Sequence, residues 1–383
     1  MINTPLIERI KTNFNTQFGT EPLLVFSPGR INLIGEHTDY NEGFVFPAAI
    51  DKGIVAAIDT SDTAFCTIVA ADKNESIEFS LNKLQPIPNG SWRNYVLGVV
   101  DEVQKKGLQL SPFHLVFGGN IPSGAGLSSS AALENSIVFA LNEFFSLRLS
   151  KKEMILISQK AEHHFVGVHC GIMDQYASMF GVQDKALLLD CRDLSAIEFT
   201  IDFKEYTLLL INTHVKHNLA ESAYNDRRST CEKITKLLHI KALRDANETD
   251  LLKIQDQVST EDYQKAVYII QENQRVLAAS KALKNNNLTA FGKLLYSSHN
   301  GLQHQYDVSC TELDFLVDLT REFPEVLGAR MMGGGFGGCT LNLIKKEAIE
   351  KFTNKASSEY LQKFGINISS YQLKIANGTH RIS

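Results

Sequence analysis

The stretch Ser27-Pro-Gly-Arg-Ile-Asn-Leu-Ile-Gly-Glu-His-Thr-Asp-Tyr-Asn41, here termed the first segment, decides how the fold is interpreted. It follows an apolar run at residues 23–26 that predicts a β-strand, and Pro28-Gly29 predicts the end of that strand. Charged and polar side chains are then interleaved with isoleucine and leucine, which indicates that the segment is packed rather than solvated. Packed charges need partners, because burying an unpaired charge is costly.

The polar side chains of the first segment allow two interpretations. An ion-pair network around a turn would satisfy them internally. The mixture of acceptors (Glu36 and Asp39), donors (Arg30 and Asn41) and an imidazole (His37) instead favours a ligand that offers both donors and acceptors. The segment therefore predicts a site for a polyhydroxylated small molecule.

A second informative stretch, Gly118-Gly-Asn-Ile-Pro-Ser-Gly-Ala-Gly-Leu-Ser-Ser-Ser-Ala-Ala-Leu-Glu134, lies between a predicted strand at residues 113–117 and a predicted helix at residues 131–145. Its glycines let the backbone approach an anion, and a helix N-terminus presents free N–H groups. The serines at 128–130 would supply capping hydroxyls and an oxygen ligand for Mg²⁺, although an ordinary capped helix has the same pattern. No Gly-Lys-Ser/Thr follows, so this is not a Walker A loop, and a bound triphosphate would need another cation.

A third glycine run, Gly333-Gly-Gly-Phe-Gly-Gly338, contains the G-x-G-x-x-G spacing of dinucleotide-binding folds. That motif should open a helix, whereas the alternating residues 339–344 predict a strand. The run more plausibly lets backbone pass tightly beside a ligand or another part of the chain.

Residues 161–178 carry a further concentration of polar side chains. A single aspartate in an apolar stretch, as at Asp174, is usually a core carboxylate or a helix cap. His163, His164 and His169 have neither the H-E-x-x-H spacing nor a cysteine pattern, so we predict no transition-metal site. Glu162 is compatible with a hard cation.

In order and separation, the three glycine-bearing stretches resemble the three motifs of the GHMP small-molecule kinases. Residues 29–41 resemble the signature of the galactokinase branch, and residues 170–175 and 221–228 are supporting matches. The resemblance runs from Ser27 to Thr340. It departs from the usual pattern at His169, where proline is common, and at Met332, where threonine is usual, but neither position supplies a side chain that the chemistry needs.

The resemblance implies an α+β fold: a two-domain GHMP-kinase fold with mixed sheets and helices and an active site in the interdomain cleft. A soft boundary near residues 195–205 would separate residues 1–200, with the sugar motif and phosphate loop, from residues 201–383, with the third glycine run. It further implies ATP-dependent phosphorylation of D-galactose at the C1 hydroxyl, giving α-D-galactose 1-phosphate, the first step of galactose catabolism.

The resemblance also implies a role for each candidate site residue. Asp174 would be the base for the anomeric hydroxyl, and Arg30 would sit between Asp174 and the transferring phosphate. The sugar would be held by Glu36, His37, Asp39, the backbone at Gly171, and Tyr224. The ATP phosphates would lie on Gly124, Ala125, Gly126, Leu127, Ser128, Ser129 and Ser130. Ser130 and Glu162 would hold Mg²⁺, with Ser129 as an alternative hydroxyl ligand.

Bulk properties agree with such an enzyme. The 383 residues are 44% hydrophobic, enough for a large core and two domains. A net charge of -5 with scattered basic residues argues against a nucleic-acid surface. Six cysteines without a C-x-x-C pattern are typical of a reducing cytoplasm, and no apolar run is long enough to span a bilayer. We expect a cytoplasmic monomer that binds neither nucleic acid nor membrane.

Three other functions remain as alternatives. A sister kinase could act on N-acetylgalactosamine or another monosaccharide. A non-catalytic sugar sensor on the same fold is disfavoured because Arg30, Asp174 and the serine-bearing loop are all present. A dehydrogenase built on the third glycine run is disfavoured by the strand that follows it.

Overall fold

The computed structural model describes residues 4–216 and 220–382, without the side chains of residues 216–221. Glu221, part of one supporting match, therefore has no described side chain. Helices and sheets are mixed along the chain, as predicted. The helices are α1 (Thr4–Phe18), α2 (Trp92–Lys105), α3 (Ser129–Phe145), α4 (Lys151–Ala161), α5 (Met173–Phe180), α6 (Ala220–Leu238), α7 (Glu248–Leu252), α8 (Thr260–Lys284), α9 (Leu288–His304), α10 (Thr311–Thr320) and α11 (Ile349–Phe364).

Among the described residues the strands form three sheets. The strands are β1 (Leu23–Asn32), β2 (Phe44–Val45), β3 (Pro47–Thr60), β4 (Cys66–Ala70), β5 (Glu75–Phe79), β6 (Phe113–Gly119), β7 (Lys185–Asp190), β8 (Ser195–Thr200), β9 (Tyr206–Lys216), β10 (Val326–Met332), β11 (Gly337–Lys345), β12 (Ser369–Gln372) and β13 (His380–Ile382). Their orders are β13-β1-β3-β6-β4-β5, β10-β11-β9-β12 and β2-β7-β8. All pairs are antiparallel except β4 with β6.

The predicted end of the first strand at Pro28-Gly29 is wrong. β1 continues to Asn32, with a register shift against β3 between Pro28 and Arg30. The irregularity accommodates a proline that cannot donate a ladder hydrogen bond. At Gly29 a Cβ would lie 2.5 Å from the carbonyl oxygen of Leu127, so the absence of a side chain lets the loop before α3 pack on the strand. The bulge thus brings two of the predicted motifs into contact.

Residues 372–375 also carry a strand signal in the sequence, but this prediction is largely wrong, because β12 ends at Gln372. The following residues run beside β3 without a regular ladder. The Asp51 amide donates to the carbonyl of Lys374, and the Ala376 amide donates to the carbonyl of Ala49. The polypeptide here bridges two sheets instead of extending one.

Packing of helices on the sheets creates the cores. α3 lies against β1 and β3, while α9 and α10 pack on β10. One apolar cluster contains Ile31 and Phe46 from the first half of the chain together with Leu208 and Leu341 from the second. The chain returns at its last strand to pair with β1 in the first sheet. The division at residue 200 stays a prediction.

None of the helices in the described ranges combines the length and the apolar character needed to cross a membrane.

Candidate active site

A cavity of about 210 Å³ lies where the first segment meets the start of α5 and the third glycine run. It is smaller than the ~300–1,000 Å³ pockets of drug-sized ligands, which suits a single small ring. Eight of the predicted site residues line it: Arg30, Glu36, His37, Asp39, Glu162, Gly171, Asp174 and Tyr224. Val168, Cys170, Met173, Gly333 and Gly334 complete the lining.

Asp174 is held at the cavity wall by three side-chain donors. Arg30 donates from Nε to Oδ1 at 2.8 Å and from Nη2 to Oδ2 at 2.9 Å, and the Ser128 hydroxyl donates to Oδ2 at 2.5 Å. Burial alone would lower the pKa of Arg30, but the charges of Asp174 and Glu36 raise it above its ordinary value. The bidentate pair fixes both groups in one plane, which is the geometry in which an arginine–carboxylate contact is strongest.

The loop before α3, residues 124–130, is connected directly to that pair. The remaining guanidinium nitrogen of Arg30, Nη1, donates to the carbonyl of Gly126 at 2.7 Å, and the Arg30 backbone amide donates to the carbonyl of Leu127 at 3.1 Å. Gly124 and Gly126 have φ angles of 69° and 68°, in the left-handed region that glycine tolerates. Arg30 therefore joins the predicted base to the predicted phosphate loop.

The expectation that Ser128 caps α3 is wrong. Ser128 occupies the residue before the helix with φ 58°, and its side chain makes no capping bond. A cap residue normally has extended backbone, from which its oxygen can reach the amides of the first turn. In the left-handed conformation the hydroxyl instead reaches Asp174. The N–H groups at the start of α3 thus receive no cap from Ser128, as an anion site requires.

The third glycine run is the connection between β10 and β11, so it joins two strands. This excludes the strand–loop–helix arrangement of a dinucleotide fingerprint. A Cβ at Gly333 would lie 3.4 Å from the carbonyl oxygen of Gly126, and one at Gly338 would lie 3.6 Å from that of Gly124. The two glycine-rich loops therefore stack on each other backbone to backbone.

Asp39 and Gly171 lie against each other in the lining of the cavity. A Cβ at Gly171 would lie 1.9 Å from Asp39 Oδ2, so only glycine fits there. The same oxygen accepts the Met173 amide at 3.4 Å. Burial and the nearby charge of Asp174 raise the pKa of Asp39 to about 6. A carboxylate that has lost its water on burial is stabilised when a ligand hydroxyl donates a hydrogen bond to it.

Glu36 and His37 are anchored to the C-terminal half of the chain. Oε1 of Glu36 accepts Arg330 Nη2 at 2.8 Å and the Gly333 amide at 2.9 Å. Burial opposes ionisation of Glu36, but the charges of Arg330 and Arg30 lower its pKa below the ordinary value. The His37 ring contacts the Tyr40 hydroxyl at 2.8 Å and the Gly334 carbonyl at 3.1 Å.

His37 is neutral at pH 7, because burial lowers its pKa to about 4. Since a carbonyl can only accept, Nε2 carries the proton and Nδ1 accepts from Tyr40. Both ring nitrogens thus have protein partners. The Tyr224 ring lies 5.3 Å from the His37 ring, which places its aromatic face at the cavity.

Glu162 belongs to a buried group of acids. Burial and the charge of Asp174 raise its pKa to about 7, against hydrogen bonds from Cys170 and Ser130. Gln175 Nε2 bridges Glu162 Oε2 at 3.0 Å and Glu134 Oε2 at 3.2 Å. Glu134 is fully buried, and its Oε1 has no partner among the residues that the structure describes. Carboxylate and hydroxyl oxygens that lie close together are the ligands that a hard divalent cation prefers.

Within the described ranges, no three or more His, Cys, Asp and Glu side chains converge tightly enough to hold a metal ion by themselves. A hydroxyl and a single carboxylate would need oxygen ligands from elsewhere to complete a coordination shell.

Comparisons with known proteins place this geometry in a family. The galactokinase galactose-binding signature matches residues 12–60, and the N-terminal and C-terminal GHMP kinase domains match residues 94–182 and 279–362. A galactokinase from Thermosipho africanus is 42% identical over 94% of this chain and 99% of its own length. The chain belongs to the galactokinase family. Another galactokinase, from Clostridium beijerinckii, is 40% identical over 98% of this chain and 99% of its own.

Solved structures of other proteins agree with the fold. The structure of Lactococcus lactis galactokinase complexed with galactose covers 98% of this chain and 100% of its own, with 33% identity and a TM-score of 0.94. A mevalonate kinase at 19% identity and a TM-score of 0.65 shares the fold alone. The predicted GHMP-kinase fold and the prediction of a galactokinase-family kinase are confirmed.

Three polar residues that contribute to the galactokinase-family site were missed by sequence reasoning. Glu134 follows Ser130 by four residues on α3, and this spacing on one helix face was a usable signal. Gln175 adjoins Asp174 but has no charge to attract notice. Arg330 carries no local signal, because its partners lie almost three hundred positions earlier in the chain.

Proposed function

We propose that the chain transfers the γ-phosphoryl group of ATP to the C1 hydroxyl of D-galactose, giving α-D-galactose 1-phosphate, with Asp174 as the base. Membership of the galactokinase family supports the substrate and the reaction. The observation that carries the role of Asp174 is its bidentate contact with Arg30, at the point where the cavity meets the loop at residues 124–130. A base must lie beside both the hydroxyl and the phosphoryl group, and a position between the cavity and that loop supports this role for Asp174.

The chemistry asks more of positioning than of covalent help. Asp174 accepts the proton of the C1 hydroxyl as that oxygen bonds to phosphorus and the bond to the leaving ADP oxygen breaks. Arg30 offsets the negative charge that gathers on the phosphoryl oxygens, since its guanidinium is bonded to both Asp174 and Gly126. Ser128 donates a further hydrogen bond to Oδ2 of Asp174 and helps to orient the carboxylate.

The loop at residues 124–130 and the start of α3 would bind the phosphates of ATP through backbone amides and the helix N-terminus. Ser130 and Glu162 would hold Mg²⁺, and the partnerless oxygen of Glu134 within the same group of acids supports a cation there. The cation would neutralise phosphate charge in a site that has no Walker A lysine. Ser129 remains the alternative hydroxyl.

Sugar recognition would come from Glu36, Asp39, His37, Tyr224 and the backbone at Gly171. By the resemblance, Asp39 would reach the C3 and C4 hydroxyls of the sugar. An N-acetyl group at C2 would need space beside residues 171–174, and Asp39 already fills the space next to Gly171. This argues against N-acetylgalactosamine as the substrate. The cytoplasmic location and the monomeric state stay predictions, which cell fractionation and light scattering would test.

The decisive experiment is a panel of free sugars with the wild-type protein, ATP and Mg²⁺. We expect rapid phosphorylation of galactose at C1, read by phosphorus NMR of the product, and very little of glucose or N-acetylgalactosamine. Preference for N-acetylgalactosamine would keep the family and refute the substrate. Equal use of glucose would refute the role of Asp39.

A further inference from the structure

We infer that Arg330, which lies outside the cavity, is the residue that positions Glu36 for sugar recognition; this inference rests on the proposed function. Arg330 lies in β10 and its side chain is completely buried. It is not among the residues that line the cavity, so it would act only through Glu36.

Most hydrogen bonds of the Arg330 guanidinium end on the first segment. Nε donates to the carbonyl of Leu33 at 2.9 Å, and Nη2 donates to the carbonyl of Asn32 at 2.5 Å and to Oε1 of Glu36 at 2.8 Å. Nη1 donates to the carbonyl of Met331 at 2.7 Å. Three of four bonds therefore end on one short stretch of backbone and its glutamate.

The contacts of Glu36 explain why this arrangement positions an acceptor. Arg330 and the Gly333 amide both bind Oε1, from two different directions. A carboxylate with one oxygen fixed in this way cannot rotate, and its second oxygen is left for the cavity that Glu36 lines. A ligand hydroxyl then meets an acceptor whose orientation is settled before binding, which reduces the entropy lost on binding.

A purely structural role for Arg330 predicts something different. A buried ion pair is weak evidence for stability, since apolar residues of similar volume often serve as well. If Arg330 only filled space and held strands together, its replacement would weaken the fold and reduce activity on every sugar by the same factor. If Arg330 orients Glu36, its replacement would alter the choice between sugars.

The test uses Arg330→Lys and Glu36→Gln in the full-length protein, with galactose and its four singly deoxygenated analogues at C2, C3, C4 and C6. Lysine cannot reproduce the fork of donors, but it keeps a positive charge beside Glu36. The Arg330→Lys variant is therefore expected to fold, whereas Arg330→Met would leave a buried carboxylate unpaired. Arg321→Lys is the matched control, because Arg321 is half-exposed, pairs with Asp318 across one helical turn and lies over the Tyr296 ring, away from the residues that line the cavity.

In the wild type, the deoxy sugars that lack a recognised hydroxyl should lose kcat/KM, and the one whose loss shrinks in Glu36→Gln identifies the hydroxyl that Glu36 accepts. In Arg330→Lys the KM for galactose should rise about tenfold or more with a smaller change in kcat. The discrimination against that one deoxy sugar should shrink in Arg330→Lys as it does in Glu36→Gln. This ratio compares two sugars on the same folded molecules, so partial unfolding does not alter it.

Wild-type discrimination retained in Arg330→Lys would overturn the inference, and so would a Glu36→Gln variant that keeps it. A change of the same size in Arg321→Lys would attribute the effect to arginine loss in general and would also overturn it. The wild-type arm alone decides the proposed function. The comparison between variants decides the role of Arg330 with whichever monosaccharide the wild type phosphorylates fastest.

Discussion

Replacement of Asp174 by asparagine isolates the proposed proton acceptor. The side chain keeps its shape but loses its charge, and its amide nitrogen now faces one of three donors, from Arg30 or Ser128. We expect kcat to fall by about a hundredfold or more, the usual contribution of a general base. A hundredfold loss corresponds to ~2.7 kcal/mol of activation free energy.

The same substitution also removes a charged hydrogen bond. Arg30 is buried, whereas Asp174 is 27% exposed, so solvent screens part of the loss. We expect the free energy of unfolding to fall by ~1–3 kcal/mol, from the loss of a bond to a charged group. A stability loss of this size and a rate loss are separable, because kcat can be measured at a temperature where the variant is folded.

Asp190→Asn is a control that carries only the structural part of the perturbation. Asp190 makes a bidentate contact with Arg244, and its side chain is 20% exposed, close to the value for Asp174, but it does not line the cavity. Turnover would be measured by ADP release at saturating ATP and galactose, galactose affinity by calorimetry, and stability by urea unfolding.

We expect both variants to lose stability and only Asp174→Asn to lose turnover, with galactose affinity partly retained. Near-normal turnover in Asp174→Asn would remove Asp174 from the mechanism. An equal loss of turnover in Asp190→Asn would mean that breaking an arginine pair, rather than removing a base, slows the enzyme.

Three further predictions address the metal, the sugar and the pH dependence of stability. Ser130→Ala and Glu162→Ala should each raise the Mg²⁺ concentration for half-maximal turnover in a metal titration, because both remove a proposed oxygen ligand; unchanged Mg²⁺ dependence in both would move the ion elsewhere. Asp39→Ala should narrow the galactose-to-glucose ratio of kcat/KM, since glucose would leave the buried Asp39 carboxylate without a hydroxyl partner, which costs ~1–3 kcal/mol; a ratio equal to that of the wild type would count against the contact. Because burial lowers the pKa of His37 from 6.5 to about 4, its contribution to stability is complete above pH 6.5 and is lost as the pH falls towards 4. The loss by pH 5 is ~2 kcal/mol. Urea unfolding of His37→Gln at pH 7 and 5 should lack that loss, and a pH dependence equal to that of the wild type would argue against it.

Local patterns in the sequence were sufficient for most elements that surround the site. Apolar runs located β6 and β11, and helical spacing located α3, because their signals lie within a few neighbouring residues. The strand break at Pro28-Gly29 failed because a bulge let β1 continue, and a bulge depends on the partner strand. Such tertiary choices are not encoded in a single turn dipeptide.

The contacts within the site were harder to predict from the sequence than the elements around it. The polar pattern of the first segment was enough to name Arg30, Glu36, His37 and Asp39, whereas the roles of all eight predicted residues that line the cavity came from a resemblance. The structure brings the eight together. The bond from Ser128 to Asp174 was not foreseen, because it depends on a left-handed backbone that serine seldom adopts. Arg330 was not foreseen because its partners are close only after folding.

The pairing of β13 with β1 has a consequence for synthesis on the ribosome. Leu24 lies opposite Ile382, so β1 emerges from the ribosome long before the strand that completes its edge. Until then the outer edge of β1 has unsatisfied backbone groups, and such an edge can pair with a neighbouring nascent chain. Contacts this distant in sequence also slow folding, because a very long loop must close before they form. The yield of native enzyme should therefore depend on how well that edge is shielded until β13 has been translated.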